Sequence, residues 1–352
     1  MNFKKEQKVR QLVFVRKSKL EWQEAPDPVL QSDEDALVRP LYVARCDLDI
    51  PILTGQTPYR PPFPVGHEFI ARVEKVSENV KLFRAGDIVA VPLQISCGHC
   101  ARCAEGLTAH CGKHTVMDMI GIGRESRKWG GALSDSVRVP FADAMMVKIP
   151  VGLDLPSLAS LSDNVCDAYR TVAPYLIEKP GRSVLIVGGG ASSISLYAAA
   201  IASSLNASKI DFMDTSKERL QHAEKLGASP LERGGSYPQK AGQYDITVDA
   251  SGDPEGLACA VRSMGPEAVC TAVTLYFRPQ SMPLIEMYNT GGTFKTGRVN
   301  FRSVIPQALD LIQKGKFKPG DVTTQSASFA DAPEAMLTPG TKLVLKNEMA
   351  GI

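Results

Sequence analysis

The 352 residues carry 40 basic and 38 acidic side chains, a formal net charge of +2. No long same-sign run is present, which excludes the polybasic arms of nucleic-acid binders and the charged faces of membrane-surface helices, so neither partner is expected. The charged start MNFKKEQKVRQLVF is unlike a signal peptide, and the mild apolar stretch from Ile194 to Leu205 is too short to span a bilayer, so a cytoplasmic protein is expected.

The length suits two domains, each large enough for its own core. In chain order, LVFV, EDALVRPLYVA, EFIARVEKVSE, DIVAVPL and SDSVRVP read as strands, separated by Gly, Pro and Asp. From Leu153 onward strand and helix alternate. SVLIV is a buried-type strand, ISLYAAAIASSL a helix, KIDFMD a strand, KERLQHAEKLGA a helix and DITVDAS a further strand. EAVCTAVTL and the segment from Ser281 to Tyr288 read as later strands or edges of the same sheet. The tail adds one helix, VIPQALDLIQKGK, and a last strand, TKLVLK. The alternation predicts a parallel sheet, so the fold class is α/β: a β-rich domain from residues 1–160 and 298–352, and an inserted doubly wound Rossmann domain over 161–297.

Eight cysteines in a chain without an export signal read as core residues, metal ligands or reactive thiols before disulfides. Cys97, Cys100, Cys103 and Cys111 follow C-x2-C-x2-C-x7-C in a loop too poor in apolar residues to order itself by packing. Four thiolates at that spacing close on one tetrahedral Zn²⁺, a structural site whose binding supplies folding energy. Four free thiols or an iron–sulfur cluster are the alternatives. Outside that cluster, Cys46 and the pair His67-Glu68 offer a thiolate, an imidazole and a carboxylate, a donor set suited to a catalytic zinc with one position left open.

SVLIV runs into Gly188-Gly189-Gly190-Ala191-Ser192-Ser193, a G-x-G-x-x-S turn before a helix, where a pyrophosphate is held by backbone amides. Gly188, Gly190 and Ser193 are the candidate contacts. Asp214 ends the next strand, where a carboxylate accepts from both ribose hydroxyls and repels a 2′-phosphate, favouring NAD over NADP. Asp214 also reads as a helix N-cap, in competition with Thr215 and Ser216.

The order Cys46, Gly66-His67-Glu68, the four-cysteine lobe, GGALSDSVRVP and a later glycine-rich βαβ unit resembles the zinc-dependent medium-chain dehydrogenase family, which includes alcohol, sorbitol and threonine dehydrogenases. The resemblance runs from about residue 35 to residue 346. It implies a GroES-like catalytic domain, two zinc ions per chain and a catalytic zinc on Cys46, His67 and a third ligand at the domain junction, ASLSDNVCDAYR. Alignment places Asp163 there, with Cys166 as runner-up. Glu68, next to a ligand, reads either as a group supporting the ligands or as a transient ligand itself, and Asp49 as the group that orients His67 through the imidazole's other nitrogen; Lys342 resembles in position a basic residue that pairs with that glutamate in some relatives. Arg219 resembles a family residue near the adenosine ribose, although Lys217 and Arg219 also suit a phosphate. Ser251, in VDASG, resembles the loop on the ribose side. The implied reaction moves hydride between an alcohol and NAD, with zinc stabilising the alkoxide. The implied assembly is a homodimer or homotetramer formed through EAVCTAVTLY and SMPLIEMY.

Three departures from the family pattern stand out: Leu48 replaces a proton-relaying Ser or Thr, Pro51 replaces a relay His, and Ser193 replaces the third glycine. Leu48 and the methionines near Met117 favour an apolar pocket and hence a secondary or cyclic alcohol. Leu48 and Ser193 support the alternative of a zinc-stabilised dinucleotide-binding sensor or scaffold without turnover. A zinc-free quinone or enone reductase is disfavoured by the presence of Cys46 and His67.

Overall fold

The computed structural model describes residues 8–351, which divide into two compact units. One takes the chain up to Asp163, then Asn300–Leu309, then everything from Thr323; the other takes Asn164–Val299 and Asp310–Val322.

The first unit is built on a seven-stranded sheet. Its path runs Gln325–Ser328, Leu343–Lys346, Ala36–Ala44, Glu68–Val76, Ile88–Val91 and Val147–Lys148, with Val137–Val139 pairing alongside Ala36–Ala44. A three-stranded sheet, Lys19–Pro26, Lys8–Arg16 and Phe63–Pro64, completes its β-structure. Ala36–Ala44 is apolar through most of its length because it is buried as a central strand. Its register decides the site. Ala44 pairs with Glu68 on one side and with Val344 on the other. Cys46 therefore leaves the sheet where His67 enters it and where Lys342 enters it.

The second unit contains a six-stranded sheet in the order Ser229–Glu232, Lys209–Asp214, Ser183–Val187, Tyr244–Asp249, Met264–Ala272 and Thr293–Lys295. Every pairing is parallel. The order reverses beside Ser183–Val187, so the crevice at its carboxyl end is where such sheets bind ligands. Helix Ser192–Ser204 is buried on nearly every side, which is why its sequence is apolar all round.

The segment expected as a strand or edge at Ser281–Tyr288 is instead the helix Leu284–Thr290; the sheet edge is Thr293–Lys295. Pro283 at its N-cap and Gly291 in the left-handed conformation at its end, φ 66°, bound one short helical stretch. Leu284, Ile285 and Tyr288 are all exposed, so no buried face imposed the two-residue period that the reading required. Ser229–Glu232, with its proline and glutamate, is an edge strand that no alternation announced. Among the described residues no helix is long and apolar enough to cross a membrane.

Candidate functional site

The backbone at His67 is set by close packing. Gly66 has φ +94°, and a Cβ there would lie 2.6 Å from the Leu133 amide nitrogen. On either side Ala132 N donates to Gly66 O at 2.7 Å and Leu133 N donates to Val65 O at 3.1 Å. His67 is thereby carried into the interior, 2 % exposed, opposite Cys46. Asp163 arrives just after a turn in which Ser162 Oγ accepts the Phe69 amide at 3.0 Å, tying that turn to the same strand.

One ligand atom from each of Cys46, His67 and Asp163 lies within 4.8 Å of the other two, and all three residues are buried. Donors at about 2.0–2.3 Å from a tetrahedral zinc stand roughly 3.3–3.8 Å apart, so these atoms match one ion. The grouping takes Asp163 and leaves out Cys166, which lies in helix Asn164–Glu178. His67 Nε2 faces Asp163 Oδ2 at 3.3 Å, while its Nδ1 faces Asp49 Oδ1 at 3.8 Å. Asp49 Oδ2 accepts the Cys46 amide at 2.9 Å, so one carboxylate braces both ligands.

Glu68 and Lys342, both fully buried, meet at 3.1 Å, and Lys342 Nζ also donates to Arg45 O at 2.9 Å. Arg45 is buried too, donating to the carbonyls of Ala335, Thr338 and Gly340 and so holding the residue before Cys46 against the tail.

Charge supplies a second test of fit. Burial pushes the Cys46 thiol well above its ordinary value, and Asp163, Glu68 and Asp49 push it the same way. Burial pulls the His67 imidazolium down, but Asp49 and Asp163 outweigh it and carry the group up to about 9. Anionic donors thus exceed the cations available in a dry site. A divalent ion would reverse both shifts by favouring thiolate and neutral imidazole.

The four sulfurs of Cys97, Cys100, Cys103 and Cys111 likewise lie within 4.8 Å of one another. None of the four is in a disulfide. Backbone amides already point at them: Gly112 N donates to Cys100 Sγ at 3.2 Å, and Cys97 N donates to Cys111 Sγ at 3.5 Å. Amides of Cys103 and Gly112 draw the Cys100 thiol down to about 6, whereas burial pushes Cys103 up to about 12. Four protein donors fill a tetrahedron, which is the closed arrangement of a structural ion.

In the other unit, the glycine turn is packed between two strand ends. A Cβ on Gly189 would lie 2.5 Å from Ser251 O and 2.8 Å from Tyr237 Oη. Gly190 N donates to Ser251 O at 2.7 Å, and Ala191, at the helix N-cap, offers no side-chain acceptor to the first turn. Backbone can therefore approach a phosphate closely there. Ser193 is fully buried and accepts the Asn164 side-chain amide at 2.8 Å, so its hydroxyl serves packing. Ser251 donates to Asp249, which also accepts Tyr276 Oη at 2.8 Å.

Asp214, 1 % exposed, takes a two-pronged contact from Arg219, Nε at 2.8 Å and Nη2 at 2.6 Å, plus the Ser216 amide at 2.8 Å. The N-cap of helix Lys217–Lys225 is Ser216, whose side chain accepts from Arg219 N.

Residues 32–151 match the alcohol dehydrogenase GroES-like domain. The chain is 30% identical over 253 residues to the L-threonine 3-dehydrogenase of Streptomyces coelicolor, an alignment covering 68% of this chain and 69% of that protein. The chain belongs to the zinc-dependent medium-chain dehydrogenase family. Zinc-type alcohol dehydrogenase B of Aspergillus flavus is similar to this medium-chain dehydrogenase over 349 residues at 27% identity, covering 94% of this chain and 78% of that one. The alcohol dehydrogenase TADH from Thermus sp. ATN1 superposes with a TM-score of 0.84 at 27% identity, over 96% of this chain and 99% of that chain.

Sequence reasoning missed Arg45, Ser162, Tyr237 and the Tyr276–Asp249 pair. Arg45 stands next to a candidate ligand, and that adjacency was the one available signal. The others depend on register and loop packing, which leave no local pattern.

Proposed function

We propose that the chain is a zinc-dependent oxidoreductase that transfers hydride between an alcohol, secondary or cyclic in preference, and NAD. The observation that carries this reading is the buried grouping of Cys46, His67 and Asp163 ligand atoms within 4.8 Å. Three protein donors leave a fourth position for substrate, in contrast to the complete set of four in the cysteine lobe. A zinc ion held there would supply Lewis-acid polarisation of the substrate oxygen, and a bound dinucleotide the hydride acceptor.

The chain's own residues would do the rest. Cys46 and Asp163 bring two negative charges against a dication, and Asp49 holds the His67 ring and the Cys46 backbone in place. Glu68, paired with Lys342, keeps a carboxylate beside the ligands without a surplus charge. Asp49 and Glu68 are buried and Asp47 is half-buried, so of these three carboxylates Asp47 is the one that reaches solvent. We assign it the exit of the substrate proton in place of the relay that Leu48 lacks. A pH–rate profile of Asp47→Asn identical to that of the parent protein would remove Asp47 from this role.

Asp214 supports NAD by its place at the end of Lys209–Asp214, from which its carboxylate would reach ribose hydroxyls on giving up part of its contact with Arg219. The exposed Leu284, Ile285 and Tyr288, beside the edge strand, support a homo-oligomer. The test is turnover of a panel of primary, secondary and cyclic alcohols with NAD and with NADP. Oxidation fastest for a secondary or cyclic alcohol with NAD is the expected result. Dinucleotide binding without turnover of any alcohol would transfer support to the sensor or scaffold.

A further inference from the structure

A cavity of about 270 Å³ opens beside the cysteine lobe, and neither the open metal grouping nor the glycine turn uses it. Its walls come from four segments of one unit: Glu34 just before strand Ala36–Ala44, Asn79 beyond strand Glu68–Val76, Cys97 and His99 at the start of the lobe, and Phe141 and Asp143 around the short helix Ala142–Met145. Asp143 is fixed from below by backbone. Its Oδ2 accepts the Lys81 amide at 2.8 Å and its Oδ1 the Leu82 amide at 3.0 Å, and each oxygen keeps a second lone pair. Among the described residues the half-buried Glu34 carboxylate has neither a hydrogen bond nor an ion pair. No lysine or arginine lines the cavity. The lysines of the adjoining segments are engaged elsewhere, Lys81 Nζ donating to Glu78 O at 2.6 Å and Lys113 Nζ to His99 Nε2 at 2.6 Å. The Phe141 ring packs against the cysteine side chains and meets the His99 ring edge-on, with centroids 6.1 Å apart.

Two carboxylates without an opposing cation, an aromatic wall and a concave shape select for positive charge. The lobe adds to the same field, because four thiolates closing on one divalent ion leave a surplus of negative charge beside Glu34 and Asp143. A metal ion is the poorer occupant. Among the described residues only two groupings bring three or more such ligand atoms within 4.8 Å, and neither contains Glu34, His99 or Asp143. The volume is just under the roughly 300 Å³ at which ligand pockets begin, so the occupant is a head group of a few heavy atoms. We propose that this cavity is a binding site for a small organic cation, an alkylammonium or guanidinium group. Glu34 and Asp143 supply charge-assisted hydrogen bonds, and Phe141 supplies an aromatic ring to the cation. Cys97 forms part of the wall, so an occupant stands against the lobe and, by binding only its folded form, stabilises it.

The test is calorimetry on the full, metal-loaded chain at constant ionic strength, with agmatine and methylguanidine as cationic probes and methylurea as the neutral one of matched shape. Both cations should bind saturably, one per chain, in the presence or absence of NADH, and methylurea should not bind. Glu34→Gln, which breaks no contact within the protein, should weaken agmatine about tenfold, and Phe141→Leu about fivefold. Saturating agmatine should also slow transfer of the lobe's metal to a colorimetric chelator in the parent protein and not in Glu34→Gln. Methylurea binding as well as methylguanidine would show that shape and not charge is recognised. Agmatine binding unchanged in Glu34→Gln, displaced by NADH, or absent from the parent protein would each overturn the proposal, and none of these results touches the reading of the open metal site.

Discussion

The two candidate metal centres belong to the same unit and are built in opposite ways. The cysteine lobe collects four donors from fifteen consecutive positions, Cys97 to Cys111, and backbone amides already point at its sulfurs. The other centre draws Cys46, His67 and Asp163 from three distant segments and surrounds them with Asp49, Glu68 and Lys342. The first is local and saturated. The second depends on strand register and leaves a coordination position open. A contiguous set of thiolates can order its own loop around an ion, whereas donors brought together by a sheet are positioned by folding before any ion arrives. Metal loss should therefore unfold the lobe and silence the other centre.

That contrast can be broken or sharpened by substitution. The largest effect is expected from Cys100→Ser, which removes one of four thiolates from a segment with little packing of its own. The loss should be about 5 kcal/mol, or ~10 °C or more in melting temperature, read by calorimetry alongside metal content. Cys46→Ala should instead lower turnover by at least about a thousandfold while moving the melting temperature by less than ~3 °C. Equal melting losses in the two variants would erase the distinction between an ion that folds the chain and one that reacts.

Lys342→Met comes next, because it strands Glu68 as a buried carboxylate. Breaking such a pair should cost about 3 kcal/mol, and Glu68→Gln in the same chain should restore part of it, as urea unfolding would measure. No recovery in the double variant would mean that Lys342 acts through Arg45 O and not through Glu68. The smallest effect belongs to the other unit. Gly189→Ala places a methyl 2.5 Å from Ser251 O and should weaken NADH about tenfold in a fluorescence titration, with both metals retained.

Legibility followed the same divide. The cysteine lobe was readable because its spacing is itself the ligand geometry, and the strand–helix alternation because burial on both faces writes itself into apolar runs such as SVLIV. Cys46 and His67 carried weak signals singly and became specific only through the order of motifs along the chain. Lys342 had no local mark and was reached only through its position in the family resemblance. Its meeting with Glu68 follows from Ala44 pairing with both Glu68 and Val344, a fact of three-strand register that no window of sequence contains. The helix Leu284–Thr290 was misread because its exposed Leu, Ile and Tyr resemble an edge strand when no core face disciplines the period. Ser193, read as a phosphate contact, turns its hydroxyl to Asn164, a choice made by the packing of one helix on the next.

The central claim, that one chain holds a closed cysteine site and a separate open one, is tested most directly by counting zinc per chain in the parent protein and in Cys46→Ala. The account predicts two ions falling to one. One ion in both proteins would contradict it, leaving only the cysteine lobe metallated and the grouping of Cys46, His67 and Asp163 without an ion to hold.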